Sequence, residues 1–212
     1  MPKSAQSTLE PRKSPVQARS TASVDAILKA TIQVLLKVGK ERLTTTRVAA
    51  RAGVSVGTLY QYFPNKSALL RAALQHHMDE VCSAIETVCR EQSGASLEQM
   101  VTALATSFLA AKMKDMKASV ALYAVSSDVD GARISREMSA KANRAIVAML
   151  TTAKDALIKD PLLVSSMLQA SMAGVSKRLL ESPSPEADYE NVRDELVFLM
   201  CAYLRACSKG DA

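Results

Sequence analysis

The side chains best suited to chemistry in this sequence are hydrogen-bonding ones, and they crowd between Leu43 and Lys66. Thr44, Thr45 and Thr46 form a run of hydroxyls that can cap a short helix and meet phosphate oxygens. Val48, Ala49 and Ala52 follow at i, i+1 and i+4, the spacing of one buried helical stripe. Gly53 stands where the chain must turn. It can take the left-handed conformation that closes a helix, and Val54 after it can pack between two helices. Ser55 can cap a second helix running from Val56 to Tyr62, with Leu59 and Phe63 four apart and directed to a core. Val56, Gly57, Thr58, Tyr60 and Tyr62 are left for other surfaces. The pattern is a helix-turn-helix whose second helix suits the major groove of DNA.

Catalytic patterns are missing. The sequence has no nucleophile elbow, phosphate loop, HExxH, CxxC or dinucleotide fingerprint, and Glu80, Glu137, Asp155 and Glu195 read as solvated helix charges. An enzyme is therefore the weakest reading. His76-His77 lacks a second ligand cluster at metal spacing, so neither a metal site nor a cofactor is expected. Cys82, Cys89, Cys201 and Cys207 read as small buried side chains on helices, because a reducing compartment disfavours structural disulfides.

Charge is distributed unevenly. Residues 1–75 carry twelve Lys or Arg against three acids, a balance of +9, so the formal total of +6 leaves −3 for the remainder. A basic first third points to a polyanion as partner, and its coincidence with the helix-turn-helix favours DNA over a solvated basic face. Residues 1–20 hold three prolines and no apolar periodicity, and read as a disordered basic arm in which Arg12, Lys13 and Arg19 could track the DNA backbone or minor groove. No apolar leader and no membrane-length apolar run occurs, so the expected setting is the cytoplasm, away from membranes.

The stretch from about Arg19 to Leu74 resembles the DNA-binding domain of the TetR/AcrR family of bacterial transcriptional regulators. The likeness rests on Ile27, Leu28, Ala30 and Thr31, on Gly39, Thr44-Thr45 and Val48-Ala49, and on the run from Ala52 to Ser55. It continues through Gly57 to Tyr60, Tyr62-Phe63, Lys66 and Leu69-Leu70, all in one register. A lone helix-turn-helix pattern is common, whereas this many matching positions is specific. Past about residue 80 the match fades. What the resemblance implies there is an all-helical ligand-binding and dimerisation domain.

Carried over by resemblance, Thr44, Thr45, Tyr60, Tyr62 and Lys66 would hold phosphates, while Thr46, Val56, Gly57 and Thr58 would face base edges. Ser55, besides capping the second helix, would belong to the same DNA-binding set. The plainer alternatives are that Thr44 or Thr45 only caps and that Tyr60 only packs on the first helix. The second helix has no Arg, Asn or Glu for bidentate base reading. Specificity would lean on thymine-methyl contacts from Val56 and Thr58, close approach at Gly57, and DNA shape.

Few glycines, prolines and aromatics and frequent Ala, Leu, Lys, Arg, Glu and Met predict an all-α protein of about nine helices. The expected helices cover Ser23–Val38, the two of the helix-turn-helix, Lys66–Glu91 capped by Asn65, and one to Lys112 begun by a Ser96–Gln99 capping box. Others cover Asp115–Ser126, Ala132–Ile158, a helix capped at Asp160-Pro161 and ending near Glu181, and Glu186–Ala206. The domains read as the arm at 1–20, a DNA-binding head at 21–66 and a body at 67–212. The last two helices are too apolar for a monomer's surface. The last carries Leu196, Leu199, Met200 and Tyr203 on one side and Val197, Phe198, Cys201 and Leu204 on another, and in the helix before it Ala170, Ser171, Ala173 and Gly174 would allow close approach. A twofold homodimer would bury them, as the resemblance also implies.

Nine methionines follow Met1, none before Met78, so the adaptable thioethers belong to the body. Phe108, Met113, Met116, Tyr123, Met138, Met149 and Met172 are candidate lining residues for a small apolar or amphipathic effector, with plain core filling as the alternative. The function expected is a homodimeric repressor released from a double-stranded operator by that effector. The runner-up is a helical DNA-binding or nucleoid-organising interaction module without a small-molecule switch.

Overall fold

The computed structural model describes residues 18–208 and is all-α. Among these residues lie nine α-helices: α1 (Ala18–Arg42), α2 (Thr45–Ala52), α3 (Val56–Tyr62), α4 (Lys66–Glu91), α5 (Leu97–Met113), α6 (Met116–Val125), α7 (Gly131–Leu150), α8 (Pro161–Leu180) and α9 (Pro185–Cys207). A 3-10 helix, Ser126–Val129, joins α6 to α7. Of the expected arm, residues 1–17 lie outside the described residues, while Ala18–Ser20 already belong to α1. No helix-breaking residue separates Ala18 from Ser23, so α1 starts earlier than the serine suggested.

Two compact units emerge. The first holds the described residues up to His77 together with Lys117–Ile134. Its core is built from Ile27, Leu28, Val34 and Leu35 of α1, Val48 and Ala49 of α2, Leu59 and Phe63, and Leu69, Leu70, Ala73 and Leu74 of α4. Buried Thr31 returns its hydroxyl to the Ile27 carbonyl at 2.7 Å, which satisfies it inside the helix. Leu122, Val125, Val129 and Ile134 are likewise buried, so the α6–α7 corner is anchored rather than loose.

The second unit holds Met78–Met116 and the described residues from Ser135 onward. One continuous core cluster runs through it, from Val81, Ile85 and Cys89 through Met100, Leu104 and Phe108 to Ile146, Met149, Leu168, Met172, Met200 and Leu204. All four cysteines are buried. Burial lifts the Cys89 thiol to about 12, which keeps it protonated and unreactive at neutral pH.

α7 corrects the expected helix to Ile158: it stops at Leu150. After Met149 and Leu150 the sequence has no wide apolar stripe, and other partners take over the backbone. The Thr151 and Thr152 hydroxyls donate to the carbonyls of Ala148 and Met149, and Thr152 Oγ1 accepts the Gly94 N–H at 2.9 Å. Lys154 N–H donates to Ala95, and Ile158 N–H to Cys207. Asp155 is corrected with it. Rather than a solvated helix charge, its carboxylate accepts the Leu97 N–H at 2.7 Å and helps close the start of α5.

The two C-terminal helices are apolar on both sides. α8 buries Val164, Leu168, Met172 and Leu179 and turns Leu162, Leu163 and Met167 outward. α9 buries Leu196, Met200, Cys201, Leu204 and Cys207 as a single stripe, which redraws the expected division of its faces. Phe198, at 66% exposure, and Leu199 point outward.

Candidate nucleic-acid interface

Local chemistry sets the geometry of the helix-turn-helix. Thr44 is extended (φ −127°) and its hydroxyl accepts the Arg47 N–H, which starts α2. Gly53 closes α2 at φ 70°, a backbone region where a Cβ would be strained. Ser55 Oγ accepts the Thr58 N–H at 2.9 Å and lies 2.8 Å from the Thr58 hydroxyl. This satisfies an otherwise unpaired donor at the start of α3. On the inner side, Leu59 is fully buried and Phe63 is 2% exposed.

With those two side chains inward, Val56, Gly57 and Tyr60 are exposed and Thr58 and Tyr62 half-buried. Thr44 and Thr46 are exposed on α2's leading turn, with Thr45 half-buried between them. Thr45 Oγ1 and the Tyr60 hydroxyl lie 3.0 Å apart, so the two helices share a polar contact as well as a core. The expected residues therefore gather along the starts of α2 and α3 and the side of α3 away from Leu59.

Lys66 sits at the first turn of α4. Its ammonium donates to the Lys40 carbonyl at 2.5 Å, leaving two of its three N–H donors for another acceptor. Asn65 Oδ1 accepts the Ala68 N–H at 2.8 Å, so α4 begins where its cap predicted. Lys40 escaped the sequence reading because its partners, Lys66 and Asp128, are distant in the chain and no local pattern marks them.

The seven candidate effector residues divide. Phe108, Met149 and Met172 are buried in the core of the second unit, with Met113 and Met138 packed against it. Met116 is half-buried, while Tyr123 is exposed and belongs to the first unit. A buried cation that the sequence reading passed over lies beside them, Lys112, with Nζ 5.9 Å from the Phe108 ring centroid. A cleft of about 800 Å³ opens elsewhere, between α8 and α9, floored by Val175, Leu179, Val192, Leu196 and Leu199. His77 is buried and its Nε2 lies 2.9 Å from the Ser119 hydroxyl. No described helix is long and apolar enough to cross a membrane.

Residues 27–73 match the family model described as bacterial regulatory proteins, tetR family. Residues 96–204, just over half of the chain, match the tetracyclin repressor-like C-terminal domain. Among curated proteins, the transcriptional repressor KstR of Mycolicibacterium smegmatis is 46% identical over 55 residues, 26% of this chain and 27% of that protein. The nucleoid occlusion factor SlmA of Haemophilus influenzae is 38% identical over 55 residues, 26% of this chain and 25% of its own length. The matching segment thus spans about a quarter of either relative. Solved structures extend the likeness of fold to nearly the whole chain. A TetR-family regulator from Mesorhizobium loti aligns with TM-score 0.73 at 20% identity, covering 88% of this chain and 98% of that one. SmeT, repressor of the Stenotrophomonas maltophilia multidrug efflux pump SmeDEF, aligns with TM-score 0.67 at 20% identity over 90% and 93%.

Proposed function

Because this chain belongs to the TetR family of bacterial regulatory proteins, we propose that it is a homodimeric repressor released from its operator by a small apolar or amphipathic effector. The observation that carries the reading is the face of α3: a capped helix pinned by Leu59 that leaves Val56, Gly57 and Tyr60 exposed beside Thr58. Such a face offers methyl groups, a hydroxyl and a close backbone approach to base edges. Residues 21–66 would carry DNA binding, and 67–212 dimerisation and effector binding. A twofold operator fixes the spacing of two heads near one helical turn or a multiple of it. An effector favouring another spacing must weaken DNA binding by its coupling energy, typically about 1–3 kcal/mol.

Phosphate and base contacts separate experimentally. Lys66→Ala should weaken binding to both operator and random duplex and reduce the salt slope by about one. Thr58→Ala should cost roughly 1–3 kcal/mol at particular base pairs and spare random DNA. Quantitative binding to a duplex selected by the wild-type chain from a randomised pool, against a scrambled duplex, reads both. A uniform loss for Thr58→Ala would remove it from the bases.

The effector reading is tested by titrating acyl carboxylates and aromatic cations while following thermal stability and operator binding together. Ligands that stabilise the protein should lower operator affinity about 5- to 150-fold. Stabilisation without that loss would instead favour the second reading, a helical DNA-binding or nucleoid-organising module with no small-molecule switch. The match of the head to nucleoid occlusion factors supports that alternative.

A further inference from the structure

The strap between α1 and α2 is tied at a point outside the helix-turn-helix. α1 breaks at Gly39, whose φ of 74° and ψ of 169° are non-helical, and Lys40 follows at once. The Lys40 carbonyl accepts the Lys66 ammonium at 2.5 Å and the Leu43 N–H at 3.3 Å. Its own ammonium meets the Asp128 carboxylate at 2.6 Å, and hydrogen bonding to that carboxylate raises its pKa. Asp128 lies in the 3-10 helix Ser126–Val129, within the same compact unit as α1–α3.

That corner is stiff. Val129 is fully buried, and Asp130 holds a left-handed backbone at φ 59°. A Cβ at Gly131 would come within 2.6 Å of the Ser126 Cβ and 2.7 Å of its carbonyl oxygen. Asp128 is thus carried on a turn anchored by its buried neighbour Val129. Thr44, which starts α2, comes four residues after Lys40, and Thr45 next to it meets Tyr60 of α3.

We propose that Asp128 is a positioning residue for DNA recognition, holding Lys40 and through it the strap that sets the start of α2, so that the α6–α7 corner acts on the reading head. Both side chains of the pair are about 40% exposed (39% and 41%), so the contact adds little to folding stability. Its value lies in fixing one end of a short segment.

The sign of the effect separates this role from plain electrostatics. Removing an acid from a DNA-binding protein ought by charge alone to tighten binding to every duplex. Positioning predicts the reverse at the operator. Asp128→Asn should lower affinity for the pool-selected duplex about five- to tenfold, the lower range of coupling between sites, without weakening binding to scrambled duplex. Amide exchange at Leu43 and Val48 should quicken, while the melting temperature holds. Asp128→Glu, which keeps the charge, should restore most of the operator affinity. Tighter binding to both duplexes, unchanged operator affinity, or a Glu variant as weak as the Asn variant would each overturn the proposal.

Discussion

Gly174→Arg and Phe198→Asp should each convert the proposed dimer to a monomer in sedimentation and lower operator affinity by about two to four orders of magnitude, the gain that joining two binding modules confers. Neither change harms an isolated protomer. A Cβ at Gly174 meets nothing within 4 Å, and replacing a helical glycine with arginine favours the helix by up to about 1 kcal/mol. Phe198 is 66% exposed, so aspartate there removes little from the core. Loss of assembly and of operator binding would then trace to the surface that the proposed dimer covers.

The physical motive is the doubled apolar character of α8 and α9. Their inward stripes already complete the core of the second unit, yet Leu162, Leu163, Met167, Phe198 and Leu199 remain outside with 47–66% of their area exposed. At about 25 cal/mol per Å² of apolar surface, covering such side chains across a twofold axis supplies a driving force that water cannot. Thermal melting of each variant at low protein concentration separates assembly from folding. Should both variants sediment as dimers with a normal melting temperature, the twofold contact lies elsewhere.

Legibility from sequence followed the range of the interactions. The starts of α3, α4, α5 and α8 were readable because each cap is a side chain bonding two or three residues ahead: Ser55 to Thr58, Asn65 to Ala68, Ser96 to Gln99, Asp160 to Leu162. The end of α7 was not. Gly94 and Leu97, whose N–H groups donate to Thr152 and Asp155, stand 58 residues away, and no local periodicity reports such bonds. On the DNA side, residue types and exposure could be read. The Thr45–Tyr60 contact and the Lys66–Lys40 bond, 15 and 26 residues apart, could not. Methionine spacing cannot tell a pocket wall from filling, and Met149 and Met172 have the burial of core residues. α9 shows the same limit, since an apolar helix reveals which faces exist before its neighbours decide which one is covered.

Leu59→Ala should melt the DNA-binding head ahead of the body and abolish operator binding, because Leu59 is the buried side chain within α3 itself. With seven residues it is far shorter than the roughly 12–15 at which isolated helices become even marginally stable. Its order comes from the Ser55 cap, the Thr45–Tyr60 contact and two buried side chains, of which Leu59 is fully enclosed. Truncation there costs about 2–5 kcal/mol through lost transfer energy and the cavity left behind. Small domains have little stability to lose, and each kcal/mol moves the midpoint of a 60–100-residue domain by about 4–8 °C. Calorimetry should therefore show an early transition for the head and an unshifted one for the remainder, with α3 amides exchanging fast. Leu59→Met is the control, since swaps of similar volume usually cost less than about 1.5 kcal/mol. Tyr60→Phe isolates the polar contact, removing a hydrogen bond worth about 0.5–1.5 kcal/mol while the head stays folded. If Leu59→Ala melts in one unshifted transition and still binds the selected duplex, the reading face does not depend on this buried leucine, and α3 is not the element that places Val56, Gly57 and Thr58 against the bases.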